Sequence, residues 1–149
     1  MNKLKNESVF QRFIRRSIAY AFIDKCAMKK NHGNQFTEAG IADIDGHVEG
    51  YYVAIEAKMW NNRPTTEQLA FARKVSRTGG IHFFLIYKYN GDKSHSFFWV
   101  PGVLGISYRQ KRLWAESGII EVRTDPRDNT SKMIPVMNCE PLIRAIRMK

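Results

Sequence analysis

The chain has 149 residues, 44% hydrophobic and 26% charged, a balance that excludes a wholly disordered polymer and fits one domain with a real core. Lys and Arg number 24 against 14 Asp and Glu, a formal charge of +10 that points to a polyanionic partner, nucleic acid first among them. No apolar run approaches membrane-spanning length, and the two cysteines, Cys26 and Cys139, form neither a disulfide framework nor a C-x-x-C zinc pair, so a cytoplasmic protein with no secretory leader is expected.

The charge is unevenly spread. Residues 1–30 hold eight basic residues against two acids, and residues 101–149 hold nine against five, whereas 31–100 balance at seven each. Five of those central acids, Glu38, Asp43, Asp45, Glu49 and Glu56, fall close together. Basic flanks around a carboxylate-rich centre suit a protein that grips phosphates and holds a cation between them.

Taken in chain order, Phe10, Phe13, Ile14, Ile18, Ala21 and Phe22 follow helical spacing and predict a helix from Glu7 to about Lys30. Its polar face carries Arg12, Arg15, Arg16 and Lys25, and Asn31-His32-Gly33 offers a stop. Ile41–Asp45 reads as a short strand, with Asp45-Gly46 opening a turn. Tyr51–Lys58 alternates: Val53, Ile55 and Ala57 share one face, and Tyr52, Ala54, Glu56 and Lys58 the other. After Arg63-Pro64, a helix carrying Arg73 is expected over about Thr65–Thr78, ended by Gly79-Gly80. Ile81–Tyr89 reads as a buried strand, Asn90-Gly91 as a hairpin turn and Ser94–Val100 as its partner. Beyond Pro101 the expectation is a helix within 103–117, a strand at Ile119–Arg123 and a terminal helix entered through Pro141. This order implies an α/β fold, a mixed sheet with helices packed on it, with 1–149 as a single domain.

The chemistry concentrates on one strand. Glu56 and Lys58, two residues apart, emerge on the same face, and Asp43 lies one hairpin upstream. If the two strands pair, Asp43 comes close to Glu56. Two adjacent carboxylates repel unless a cation compensates them. Oxygen ligands with room for water and phosphate describe a Mg²⁺ site, beside which an ammonium can orient the attacking water or offset charge on phosphorus. A Glu-x-Lys pair by itself is equally a solvated strand face. Thr65-Thr66-Glu67-Gln68 is a capping box, which alone explains Thr65 and Gln68. Tyr51, Tyr52 and Trp60 suit core packing or stacking on nucleic acid, and His32, His47, His82 and His95 have no ligand spacing.

Asp43, a hairpin, and Ile55-Glu56-Ala57-Lys58 resemble the metal-binding signature of the PD-(D/E)XK nuclease superfamily. Gly40-x-x-Asp43, Glu56-Ala57-Lys58, Thr65-x-x-Gln68 and Gly79-Gly80-Ile81 are similar to the pattern of RecU-type Holliday-junction resolvases and VRR-NUC domains. The resemblance covers roughly Glu7 to Val100; Ala42 stands where a proline often precedes the first acid, and 101–149 is a C-terminal extension without a matching motif. It implies a restriction-endonuclease-like core in which Asp43, Glu56 and the carbonyl of Ala57 bind Mg²⁺ or Mn²⁺. Lys58 would act on the nucleophilic water, Gln68 would point to the metal, and Glu7 would add an acid for a second ion. Glu7 is equally an N-terminal helix acid favoured by the macrodipole.

The function implied is a metal-dependent endodeoxyribonuclease selective for branched DNA and working as a homodimer, with phosphates held by Arg12, Arg15, Arg16, Lys25, Arg63 and Arg73. Apolar residues of the first helix and of Phe97–Val100 are available for a dimer interface, or equally serve as ordinary core. By analogy, so small a protein fits a phage or mobile-element source. The alternatives are a non-catalytic basic nucleic-acid-binding protein and an RNA-processing endonuclease.

Overall fold

A computed structural model describes residues 1–31, 41–104, 113–123 and 132–149. In that structure α1 spans Glu7–Phe22, capped by the Asn6 side chain, which accepts from the Val9 amide. A single 3-10 turn leads into β1 (Cys26–Lys30), followed by β2 (Ile44–Val48), β3 (Tyr51–Met59), α2 (Thr66–Arg77), β4 (Ile81–Gly91) and β5 (Ser94–Pro101). Then come β6 (Ala115–Ser117), β7 (Ile119–Arg123), β8 (Met133–Met137) and α3 (Glu140–Arg147).

Six strands form one sheet in chain order, β1 to β6, and β7 pairs with β8 in a small second sheet. Only the β3–β4 pair of the main sheet is parallel, joined through α2 in a β-α-β unit; its other neighbours are antiparallel. Strand alternation then sorts the side chains. Val53, Ile55, Ala57, Phe83, Leu85 and Tyr87 pack against Phe10, Phe13, Ile14 and Ile18 of α1 and Leu142 and Ile146 of α3. On the other face Ala54, Phe84 and Ile86 pack against Ala72 and Val75 of α2. The expected α/β architecture, a mixed central sheet flanked by helices, is the one observed.

Several boundaries differ from the sequence expectation. The first helix ends at Phe22, where Ile23 takes a positive φ of 40°, and residues 26–30 leave it to pair with β2. Their side chains carry no helical signal against this, because one weak edge strand needs only two half-buried apolar residues, Cys26 and Met28, and the exposed Lys29 protects the edge from further pairing. Asp45-Gly46 is not a turn but lies inside β2; the hairpin turns at Glu49-Gly50, both with positive φ (50° and 86°), as a type I′ connection requires. The β4–β5 hairpin exists, yet its loop is Asp92-Lys93 (φ 50° and 59°), with Asn90 bulged beside it. Ala115–Ser117 is an edge strand rather than helix, while the stretch 105–112 lies outside the described residues, as do His32, Gly33, Glu38 and Gly40. The proposed interface residues are spent in the core: Phe10, Phe13, Ile14, Phe97, Trp99 and Val100 are all buried.

At Gly46 the backbone of β1 occupies the space a side chain would need. A Cβ built there would stand 1.9 Å from the Ala27 carbonyl oxygen, a backbone atom that moves only with the strand. Gly46→Ala is therefore expected to cost about 1–3 kcal/mol, the usual range for overpacking, read as a lowered midpoint in urea with an unchanged slope.

Candidate active site

The β2–β3 register aligns Ile44 with Ile55, so the next residue outward, Asp43, faces Glu56 at the mouth of the hairpin. Asp43 Oδ2 accepts a 2.9 Å hydrogen bond from the Ala57 backbone N–H, which fixes the first carboxylate against the strand that carries the second. Two residues of strand spacing put Glu56 and Lys58 on the face covered by α2. Both are buried, with 2% and 7% of their surfaces exposed.

Gln68 makes two sets of contacts. Its backbone N–H and side-chain oxygen complete the capping box with Thr65, at 3.1 and 2.8 Å. The same side chain then donates Nε2–H to Glu56 Oε1 at 2.8 Å. Glu56 Oε2 is left buried with no hydrogen-bond partner among the described residues. Burial first, and Asp43 second, push the Glu56 carboxyl up to about 9, with Lys58 pulling the other way. The direction of that shift favours a proton held on the pair.

A further layer, invisible in the sequence, holds Asp43. The Asn31 backbone N–H donates to the Asp43 carbonyl at 2.7 Å, and its side-chain amide donates to the Ala42 carbonyl and to Asp45 Oδ1 at 2.8 and 2.9 Å. The Tyr52 hydroxyl donates to Asp45 Oδ2 at 2.7 Å. Tyr52 was legible as a neighbour, since it shares a strand face with Glu56. Asn31 was not, because it follows a strand where a helix end was expected.

The remaining expected residues scatter. Glu7 Oε1 accepts from Asn62 Nδ2 at 3.0 Å, in the loop after β3. No group of three or more His, Cys, Asp or Glu side chains gathers as a cation site among the described residues, so the carboxylates come as the Asp43–Glu56 pair without Glu7. Arg12, Arg15 and Arg16 lie on α1, across the sheet from α2, and line a hollow beside Cys26–Met28. Arg16 is committed there, donating to the Pro135 carbonyl at 2.9 Å and lying over the Phe13 ring. Lys25 is exposed before β1, Arg63 in the loop before α2, and Arg73 on the outer side of α2. His82 is buried and pushed down to about 4 by desolvation, and His95 is bonded within the fold.

The double role of Gln68 is separable. Gln68→Glu retains a capping-box residue but sets a third carboxylate against Glu56. Gln68→Ala loses both bonds and about 1 kcal/mol of helix capping. We expect Gln68→Glu to keep the stability of α2 in urea while raising the Glu56 pKa further, and Gln68→Ala to lower both urea midpoint and activity.

No family model matches this chain, and no curated protein does. Among solved structures, it is similar to Hjc, a Holliday junction resolvase from the archaeal hyperthermophile Archaeoglobus fulgidus, at 16% identity and a TM-score of 0.49, over 71% of this chain and 94% of that one.

Proposed function

We propose that the chain is a divalent-cation-dependent endonuclease that hydrolyses phosphodiester bonds in DNA through Asp43, Glu56 and Lys58. The observation that carries this reading is the second oxygen of Glu56, buried and unpartnered beside a second carboxylate. Such a pair is costly as bare charge and useful as two-thirds of a ligand set. Oxygen donors of this kind fit Mg²⁺ or Mn²⁺. Asp43 and Glu56 would hold the ion together with the Ala57 carbonyl, since the Ala57 N–H points at Asp43 and the carbonyl of a strand residue points to the same side as its N–H. When bound, the ion supplies Lewis acidity toward the phosphate and toward water.

The chain's own groups do the rest. Gln68 ties down Glu56 Oε1 and so presents Oε2, while the Ala57 N–H does the same for Asp43. The Lys58 ammonium, on the face of Glu56, offsets negative charge as it builds on the phosphoryl oxygens. α2 and the sheet beneath exclude bulk water from both groups, which strengthens each electrostatic contact.

The test is incubation of labelled linear, flapped and four-way DNA, and of RNA, with Mg²⁺, Mn²⁺ or EDTA. Cleavage of DNA that requires the cation supports the reading, and cleavage undiminished in EDTA contradicts it. The motif resemblance extends the proposal to branched DNA cut by a homodimer, since a two-fold junction needs two symmetric incisions. Light scattering should then report a dimer whose interface leaves α1's apolar stripe buried in the core. A monomer that cuts linear duplex as readily as junctions would leave a general nuclease.

A further inference from the structure

A cleft of about 430 Å³ opens at the end of the sheet where β3 and β4 finish, just past Lys58. Lys3 and Lys5 line it from the N-terminal segment, Trp60 and Asn61 from the loop after β3, and Lys88 and Tyr89 from β4. Among the described residues, no Asp or Glu lines it. The acid nearest in sequence to its wall, Glu7, is turned onto the Asn62 amide. Three ammonium groups thus share one concave surface, and among the described residues the acid at its rim, Glu7, is held by Asn62.

The lysines are placed rather than merely present. Lys88 Nζ lies 4.5 Å from the centroid of the Trp60 ring, a ring that itself packs on Phe98. Lys3 Nζ lies 5.8 Å over Tyr89. The N-terminal segment carrying Lys3 and Lys5 is tied down at three points. Leu4 is buried, its N–H donates to the Tyr87 hydroxyl at 3.2 Å, and the Met1 carbonyl accepts from His95 Nε2 at 2.9 Å. His95 Nδ1 then accepts a 2.8 Å hydrogen bond from the Tyr87 hydroxyl, closing a chain of contacts that pins the segment against the β4–β5 hairpin. A short basic terminus would otherwise fray.

The position bears on the active site. In the parallel register Lys58 pairs with Ile86, and Lys88 stands two residues further along β4 on the same face, about 7 Å onward at strand rise. Glu56, Lys58 and Lys88 therefore share the α2 face toward the sheet end, whereas Met59, Tyr87 and Tyr89, with Lys3 over the Tyr89 ring, belong to the α1 side, so the cleft wraps the sheet end beside the site. We infer that this cleft is a phosphate subsite holding the backbone of the nucleic-acid strand adjacent to the scissile bond, through Lys3, Lys5 and Lys88. The inference rests on the nuclease reading of the neighbouring site, and it moves the principal phosphate contacts from the α1 arginines to this end of the sheet.

The experiment measures affinity for fluorescently labelled DNA against salt in EDTA, where no hydrolysis is required. It compares the wild type, the Lys3→Gln/Lys5→Gln/Lys88→Gln triple variant, the Arg12→Gln/Arg15→Gln double variant, and Lys88→Arg. Each phosphate contact contributes roughly 0.7 to 0.9 to the slope of log K against log salt. The triple variant should bind on the order of tenfold or more weakly at low salt, with a slope shallower by about two to three. The arginine pair should change both less, and Lys88→Arg, which keeps the charge, should lie closer to the wild type than to the triple variant. A triple variant with wild-type affinity and slope overturns the subsite, whatever the cleavage assay says. Loss of binding in the triple variant of a protein that never cleaves DNA would keep the subsite and remove the nuclease reading instead. Inorganic phosphate or a nucleoside monophosphate displacing DNA at concentrations comparable to DNA itself would overturn it too, and assign the cleft to a free anion.

Discussion

Glu56→Gln is expected to lower DNA hydrolysis on the order of 10³-fold while making the cation-free protein more stable at alkaline pH. The first effect follows from removing half of the carboxylate pair on which the cation's several kcal/mol of transition-state stabilisation depends. The second follows from linkage. The Glu56 carboxyl ionises near 4.5 in an ordinary setting and near 9 here, raised by burial and by Asp43. Between those two values the folded chain holds a proton that the unfolded chain has released, so stability is full below about 4.5 and falls as pH rises through about 9. A neutral glutamine has no proton to lose. The melting temperature in EDTA, followed from acid to alkaline pH, should decline for the wild type and decline less for Glu56→Gln. Mg²⁺ should raise the wild-type melting temperature most at high pH and leave the variant unmoved. Asp43→Asn should match it in lost activity, with the Ala57 N–H still accepted by the amide oxygen. DNA binding should survive in both variants or tighten slightly, because each removes a negative charge near phosphate. Near-normal cleavage by either variant would mean the site is misassigned.

Lys58→Ala carries the second large effect, a loss of about 10²-fold or more in rate. Lys58 is buried beside Glu56 and favours its ionised form, so the substitution also leaves a small void and a still higher Glu56 pKa. Lys58→Met separates the two, since it keeps the apolar stem and removes only the charge. If activity depends on the ammonium, both variants are equally slow and the Mg²⁺-induced rise in melting temperature persists in each. Full activity in Lys58→Met would make the lysine a packing residue.

The parts of the fold that were legible are those where one physical signal acts alone. Strand alternation over Tyr51–Lys58 assigned each side chain to its face, because a strand buried on both sides has no other way to place Glu56 and Lys58 together. The capping box located the start of α2 to the residue, since Thr65 and Gln68 satisfy amides that nothing else can reach. Pro141 marked the start of α3 for the same local reason. What failed was set by distant partners. Cys26–Lys30 has helical neighbours but pairs with β2 because that edge was free, and β8 owes its existence to β7. Asp45-Gly46 looks like a turn only until Gly46 is seen to admit the backbone of β1. At the candidate site the carboxylates and lysine were readable from spacing, and their supports were not. Asn31 reaches Ala42, Asp43 and Asp45 only once β1 pairs with β2, and Lys3 and Lys5 reach the sheet end only because His95 and Tyr87, about ninety residues away, hold the terminus there.

The most direct measurement is a calorimetric titration of Mn²⁺ into the wild type and Glu56→Gln at neutral pH, repeated in buffers of different ionisation enthalpy. Burial and Asp43 push the Glu56 carboxyl up, so cation binding at Asp43 and Glu56 is expected to expel a proton. The wild type should therefore bind Mn²⁺ with release of about one proton per ion, and Glu56→Gln should show neither the binding nor the proton. Wild-type-like Mn²⁺ binding by Glu56→Gln would contradict a cation held by this carboxylate pair.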